Sequence, residues 1–264
     1  MDFIMGVYAV TGGSNGIGKK AAGILSGQGH EVINIDIDNG DISADLGTAE
    51  GRELAISQMH DRCPDGLDGL ICCAGRAGIP KYKFSYVLSV NYFGTVLVAE
   101  GLFDLLKKKK GNCAVTLTGT VTYPRHGKYS VVELLNNCGD EERIGRLVDT
   151  FDPQEAGDLI YMSSKVALAR WMRRTSSSWA ARGVNLNAVA PGAADTNVMQ
   201  GYKKPDDGGL LLFPMPVMYG QQRFMDPADV AKALAFLALP GAHGMSGSII
   251  FCDAGTSAIN NTEL

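Results

Sequence analysis

The chain has 264 residues, 45% of them hydrophobic and 20% charged, which is enough apolar mass for one α/β domain or at most two small ones. Its formal net charge of −4 excludes the strongly basic balance of a protein that binds nucleic acid or anionic lipid. No apolar run reaches membrane-span length, and the N-terminus shows no basic region, apolar stretch and cleavage site, so a cytoplasmic location without membrane or nucleic-acid partners is expected.

Strand-like and helix-like segments alternate from the start. Residues 3–10 form an apolar strand, 16–28 a helix, and 31–36 a second strand. Helical periodicity at 49–62 precedes a short apolar strand at 69–73. A single long helix is expected over 90–110, then a strand at 113–118, a helix at 159–182 and a strand at 184–189. Asp226 reads as an N-cap with Pro227 at the first helical position, which places a helix over 230–239. A last strand spans 248–252. Apolar strands alternating with helices predict one doubly wound, Rossmann-type parallel sheet with helices on both faces. Two stretches break the alternation. Residues 123–158 form a long connection with helical pieces at 131–138 and 141–151. Residues 196–224 are rich in Gly, Pro and Met with little regular signal, and long loops of this kind tend to be functional.

The dense basic run Lys107–Lys110 closes a helical pattern, where cations meet the negative end of the helix dipole; a polyanion site is the alternative. Six cysteines (Cys63, Cys72, Cys73, Cys113, Cys138 and Cys252) lack paired spacing, and several lie in apolar runs, so they read as small buried hydrophobes. With four His, none suitably spaced, no metal site is expected.

The first strand runs into Thr11-Gly12-Gly13-Ser14-Asn15-Gly16-Ile17-Gly18, and a helix follows. Glycines permit the tight turn and let backbone approach a pyrophosphate, while the helix N-terminus offers N–H groups and partial positive charge. Asp36 ends the second strand, 18 positions after Gly18. A carboxylate there accepts hydrogen bonds from ribose hydroxyls and repels a 2′-phosphate, so NAD is the expected cofactor. Asp38 is the alternative partner.

Tyr161 and Lys165 are four apart on a predicted helix and share a face. A neighbouring ammonium and a positive nicotinamide ring would lower the phenol's pKa from its ordinary value near 10, allowing proton exchange with a substrate oxygen.

The turn, Cys73-Ala74-Gly75, Asn91, Tyr161-Met162-Ser163-Ser164-Lys165 and Pro191-Gly192 resemble, in order and over essentially the whole chain, the short-chain dehydrogenase/reductase family. The resemblance implies a nicotinamide-dependent oxidoreductase. It implies Tyr161 as acid/base, Lys165 as the group that lowers its pKa and binds ribose, and Asn91 as the holder of a relay water. It also implies a cofactor set of Gly12, Ser14, Asn15, Gly16, Ile17, Gly18, Asp36, Ile37, Asp45, Leu46, Cys73, Ala74, Gly75, Asn91, Tyr161, Lys165, Pro191, Gly192 and Thr196. The Asp45-Leu46 pair resembles the adenine-contacting position, and Thr196 the residue at the carboxamide or phosphate. The family's usual Ser is replaced in Thr116-Leu117-Thr118-Gly119-Thr120; Thr120 is the expected substrate-oxygen ligand and Thr118 the alternative. Cys72 and Cys73 stand where the family usually has Asn-Asn, and Cys73 is expected still to offer its backbone.

Within the family, Ile35-Asp36-Ile37, Ala44-Asp45-Leu46, Thr48-Ala49-Glu50-Gly51-Arg52, Asp68-Gly69-Leu70 and Ser89-Val90-Asn91-Tyr92-Phe93-Gly94 are similar to the bacterial hydroxysteroid dehydrogenase/carbonyl reductase branch. So is the 41-position span from Thr120 to Tyr161. That likeness implies a helical insertion at about 123–158, a homodimer or homotetramer, and a substrate lid at about 196–224. The apolar, Met-rich character of 196–224 suits a steroid or bile acid, with a packing loop or dimer contact as the alternative. The expected reaction interconverts a steroid hydroxyl and ketone using NAD. A dehydrogenase of other apolar carbonyls or secondary alcohols and a non-catalytic dinucleotide-binding protein are the rival readings.

Overall fold

A computed structural model of the protein describes residues 5–118, 128–200, 217–218, 221–222 and 224–260. Its main sheet has seven parallel strands: β1 (Val7–Thr11), β2 (Glu31–Asp36), β3 (Ile42–Ser43), β4 (Gly69–Cys72), β5 (Asn112–Thr116), β6 (Asn185–Pro191) and, last in the chain, β9 (Ile249–Cys252). Their order across the sheet is β3-β2-β1-β4-β5-β6-β9. The chain winds outward from β1 to β3, then returns and winds the other way from β4. A crevice therefore opens at the carboxyl ends of β1 and β4, where the winding reverses. A separate antiparallel pair, β7 (Val217–Met218) with β8 (Gln221–Gln222), lies in the 196–224 stretch. The rest of that expected lid falls largely outside the described residues.

Side chains alternate across each strand, so the sheet divides the apolar core in two. Tyr8, Val10, Ile71, Ala114 and Val189 point to the face covered by α1 (Gly16–Gly27) and α10 (Pro227–Ala238). Ala9, Leu70, Cys72, Cys113 and Val115 point to the other, where α2 (Ala49–Arg62) and α8 (Pro153–Ala180) pack. With both faces covered, strands carry continuous apolar runs, as the sequence showed.

Capping residues set several helix boundaries. The Asp226 carboxylate accepts the Ala228 N–H, as expected, with Pro227 first in α10. The same device starts α8 earlier than the expected residue 159: Asp152 accepts the Gln154 N–H and Pro153 follows.

The single helix expected over 90–110 is instead α3 (Phe84–Leu88), a π-turn (Ser89–Phe93), α4 (Gly94–Gly101) and α5 (Phe103–Lys109). The break falls at Gly101-Leu102, where a Cβ on Gly101 would lie 2.5 Å from the Ile56 side chain. Glycine there lets α4 sit against α2, and its poor helix propensity favours ending the helix. Lys107–Lys109 form the last turn of α5, and Lys108 donates to the Pro64 carbonyl at 2.8 Å. Between β5 and α8 lie α6 (Tyr129–Asn137) and α7 (Glu141–Val148), close to the expected helical pieces. Among the described residues no single helix is long and apolar enough to cross a membrane.

One contact fixes where α8 meets the loop after β4. A Cβ on Gly157 would lie 2.0 Å from the Gly78 carbonyl oxygen, and a Cβ on Gly78 would lie 2.0 Å from that of Gly157. Backbone touches backbone, four residues before Tyr161. Gly157→Ala is expected to destabilise the protein by about 2–3 kcal/mol, because a rigid backbone must shift. Gly23→Ala, in the exposed interior of α1 with nothing near its Cβ position, is expected to stabilise it by about 1 kcal/mol. Denaturant unfolding of the two variants checks the opposite signs.

Candidate active site

A cleft lies over the carboxyl ends of β1, β2, β4, β5 and β6. Its walls include Gly12, Asn15, Gly16, Ile17, Gly18, Asp36, Ile37, Asp45, Leu46, Cys73, Ala74, Gly75, Tyr161, Lys165, Pro191, Gly192 and Thr196. Sequence-predicted residues spread over most of the chain thus converge on one cavity. Thr118 also lines it, while Thr120 lies outside the described residues. Ser14, Asp38 and Asn91 are absent from the walls.

The floor is a tight backbone cradle. Gly12 has a φ of +70° and Gly16 of +53°, which L side chains rarely adopt. A Cβ on Gly18 would lie 2.2 Å from the Gly12 carbonyl oxygen, and one on Gly12 2.7 Å from the Ala74 nitrogen. The Thr11 hydroxyl accepts the Cys73 and Ala74 N–H groups at 3.2 Å each, lacing the ends of β1 and β4 together. Cys73 thus uses its N–H for the fold, while its thiol meets the Thr116 hydroxyl at 3.1 Å. The N-cap Asn15 makes no side-chain capping bond to α1, so the helix N-terminus presents its N–H groups to the cleft. Thr196 stands opposite, its methyl 3.4 Å from where a Gly16 Cβ would be. This cradle fits an anionic diphosphate.

Asp36 is half-buried at the end of β2. One carboxylate oxygen accepts the Ser14 N–H at 2.9 Å and the other the Ile37 N–H at 2.8 Å. These bonds hold the carboxylate at the cleft wall. The Ser14 hydroxyl turns away to the Asp38 carbonyl at 2.6 Å, so Ser14 braces the turn. Beyond Asp36 the walls are apolar at Ile37 and Leu46, with Asp45 held by the Gly47 N–H at 2.8 Å and the Tyr86 hydroxyl at 3.1 Å. An apolar slot with a carboxylate at each side fits an adenosine.

Tyr161 and Lys165 lie one turn apart on α8, and both reach the opposite end of the cleft. Lys165 donates to the Thr116 carbonyl at 3.1 Å, tying the α8 face to the end of β5. Burial works on the pair in opposite directions. It pushes the Tyr161 phenol up to about 12 and the Lys165 ammonium down to about 8, the latter opposed by Cys73 and Cys72. The lowering expected from the sequence calls for a positive nicotinamide ring beside the phenol as well as the ammonium; burial by itself acts in the opposite direction.

Asn91 sits fully buried in the π-turn. Its carboxamide oxygen accepts the Arg76 N–H at 2.8 Å and its nitrogen donates to the Arg76 carbonyl at 3.0 Å. The side chain of Asn91, the residue expected to hold a relay water, grips the loop after β4. A Cβ on Gly75 would lie 3.3 Å from the Asn91 oxygen and 3.9 Å from Lys165 Nζ, so the loop must pass close to both. A π-turn at such a point is a common device for aiming one side chain.

Sequence reasoning missed Arg76, Tyr86 and Val90 on the walls. Arg76 follows the Cys-Ala-Gly motif directly, and its guanidinium lies 5.6 Å from the centre of the Tyr82 ring. Among the described residues no cluster of His, Cys, Asp and Glu is arranged to hold a metal ion.

Known proteins resemble this chain in sequence and fold. A family model described as enoyl-(acyl carrier protein) reductase matches residues 153–257. The 3-alpha-hydroxysteroid dehydrogenase/carbonyl reductase of Comamonas testosteroni is 33% identical over 97% of this chain and 98% of its own. The cis-4-hydroxycyclohexanecarboxylate dehydrogenase of Sinomonas cyclohexanicum is 26% identical over 96% of this chain and 97% of its own. The crystal structure of 3-alpha-hydroxysteroid dehydrogenase from Pseudomonas sp. B-0831 complexed with NADH superimposes with a TM-score of 0.88, at 37% identity, covering 98% of this chain and 99% of that one. Likeness on this scale over nearly the full length settles the family: the chain belongs to the short-chain dehydrogenase/reductases, oxidoreductases that interconvert alcohols and ketones.

Proposed function

We propose that the protein is an NAD-dependent hydroxysteroid dehydrogenase interconverting a ring hydroxyl and its ketone. The observation that carries the reading is the placement of Tyr161 and Lys165 in the same cleft as the glycine cradle and Asp36. The substrate class is supported by the hydroxysteroid dehydrogenase relatives at 33% and 37% identity. The cyclohexane-ring alcohol named for a 26% identical relative favours a second reading, a dehydrogenase of smaller cyclic alcohols. Turnover of hydroxysteroids differing in the position and face of the hydroxyl, beside cyclohexanols, followed by NADH absorbance, separates the two. Reaction with cyclohexanols alone would overturn the steroid reading.

The residues fit NAD. Gly12, Gly16, Gly18 and the α1 N-terminus would hold the diphosphate, with Asn15, Ile17 and Thr196 around it. Asp36 would accept ribose hydroxyls through its remaining lone pairs, and Ile37, Asp45 and Leu46 would enclose adenine. Cys73, Ala74, Gly75, Pro191 and Gly192 would line the path to the nicotinamide end. Bound there, the dinucleotide supplies the hydride acceptor in alcohol oxidation and the donor in ketone reduction. The chain supplies the proton. In reduction the neutral Tyr161 phenol donates to the forming alkoxide; in oxidation the phenolate takes the hydroxyl proton. Lys165 stabilises the phenolate by its charge and would also bond ribose. Thr118, on the cleft wall, is the alternative ligand for the substrate oxygen; Thr120 remains the residue the sequence favours for that role. Asn91 acts through the loop it grips.

Tyr161→Phe is expected to lower kcat by about 10²–10⁴-fold while leaving NAD affinity within about twofold, as steady-state kinetics and calorimetric titration would show. Asp36→Ala is expected to shift the NAD-to-NADP ratio of kcat/KM toward NADP by about tenfold, since it removes ribose acceptors and the repulsion of a 2′-phosphate. An unchanged ratio would remove Asp36 from cofactor selection. Oxidation needs phenolate, so its rate should rise with pH, and reduction should fall. Because the Lys165 ammonium favours phenolate, Lys165→Met should move the rising limb to higher pH; pH–rate profiles of the two enzymes check the sign.

A further inference from the structure

The adenine end of the cleft is built from two parts that a helix outside the cleft holds from behind. Asp45 and Leu46 lie in the short connection after the two-residue edge strand β3. Tyr86 lies on α3, the first turn of a helical stretch that continues through the π-turn into α4. Both parts are gripped by α7, which lies between β5 and α8 and does not line the cleft.

The first grip runs through Arg52 on α2, a residue only 5% exposed. Its guanidinium donates to the Leu46 carbonyl at 3.2 Å and to both carboxylate oxygens of Glu141, at 3.2 and 2.6 Å. Glu141 is the first residue of α7 and is the buried guanidinium's counter-charge. A two-pronged pair fixes the plane of the guanidinium and, with it, the Leu46 carbonyl it meets. The second grip is at the other end of the helix. Asp149 follows α7 and accepts the Ser85 N–H at 2.8 Å and the Ser85 hydroxyl at 2.7 Å. Ser85 precedes Tyr86, whose hydroxyl bonds Asp45. Gly145, midway, lets the two helices close together, since a Cβ there would meet the Ser85 Cβ at 3.0 Å. The two routes meet at Asp45-Leu46.

We propose that α7 sets the affinity for the adenosine half of the cofactor, with Glu141 and Asp149 as positioning residues that act through Arg52 and Ser85. The proposal rests on the dinucleotide reading of the cleft. It concerns how the wall is held, so the reacting end should not feel it.

The test measures ADP-ribose binding by calorimetry and NAD kinetics for wild type, Glu141→Gln, Asp149→Asn and, as control, Glu133→Gln. Glu133 pairs with Arg170 at 2.6 Å from the neighbouring helix α6, away from the adenine wall. Glu141→Gln and Asp149→Asn are each expected to raise the ADP-ribose Kd and the KM for NAD together, by about fivefold, with kcat at saturating NAD within about twofold. Glu133→Gln should leave both constants unchanged. If Glu141→Gln fails to fold because Arg52 is stranded, Asp149→Asn still decides, as its bonds are solvent-exposed. Unchanged ADP-ribose binding in Asp149→Asn, or an equal loss in Glu133→Gln, would overturn the proposal. Failure of the wild type to bind ADP-ribose or NADH would overturn the dinucleotide reading and this proposal with it.

Discussion

Everything in the cleft depends on backbone meeting backbone where a side chain would ordinarily intervene. Gly18 packs on the Gly12 carbonyl, Gly12 on Ala74, and Gly157 on Gly78. The first two contacts bring the start of α1 down to the ends of β1 and β4. The third sets α8 against the loop after β4, and that depth places Tyr161 and Lys165 at the cavity. None of these contacts is strong by itself. Their force is steric: a methyl group at any of them requires main chain to move, and main chain here is tied into the sheet.

The pattern of apolar strands and Gly-rich turn was enough to read the doubly wound sheet, because parallel strands buried on both faces have little freedom in composition. The helix caps show what determines legibility. Asp226-Pro227 and Asp152-Pro153 are the same signal. The second was obscured by the polar stretch after it, where α8 is exposed and gives no apolar periodicity. The break at Gly101-Leu102 and the π-turn at Ser89–Phe93 were hidden for the opposite reason: buried on most sides, those helices present a continuous apolar run in which no change of direction is marked.

Within the site, residues that meet the cavity through a local motif were readable, and those that act across long sequence separation were not. Tyr161 and Lys165 sit one turn apart, and the glycines sit within one turn of backbone. Tyr86 reaches Asp45 from 41 positions away and Arg52 reaches Glu141 from 89. No periodicity encodes such pairs. The electrostatics were equally hard to foresee. The ammonium and a nicotinamide ring together argue for a lowered phenol, while burial works the other way on both groups, raising Tyr161 and lowering Lys165.

The Cys72-Cys73 pair carries a consequence for how the protein meets oxidants. Cys73 lines the cleft, where a thiolate would be open to attack by peroxide or alkylating reagents. Burial holds its thiol up to about 12, although Thr116 works the other way, and Cys72 is also raised, by its contact with Cys113 and by burial. Oxidation to sulfenic acid proceeds through the thiolate, which is scarce for such a group at neutral pH. Burial thus disfavours the thiolate form of the sulfur on the cleft wall.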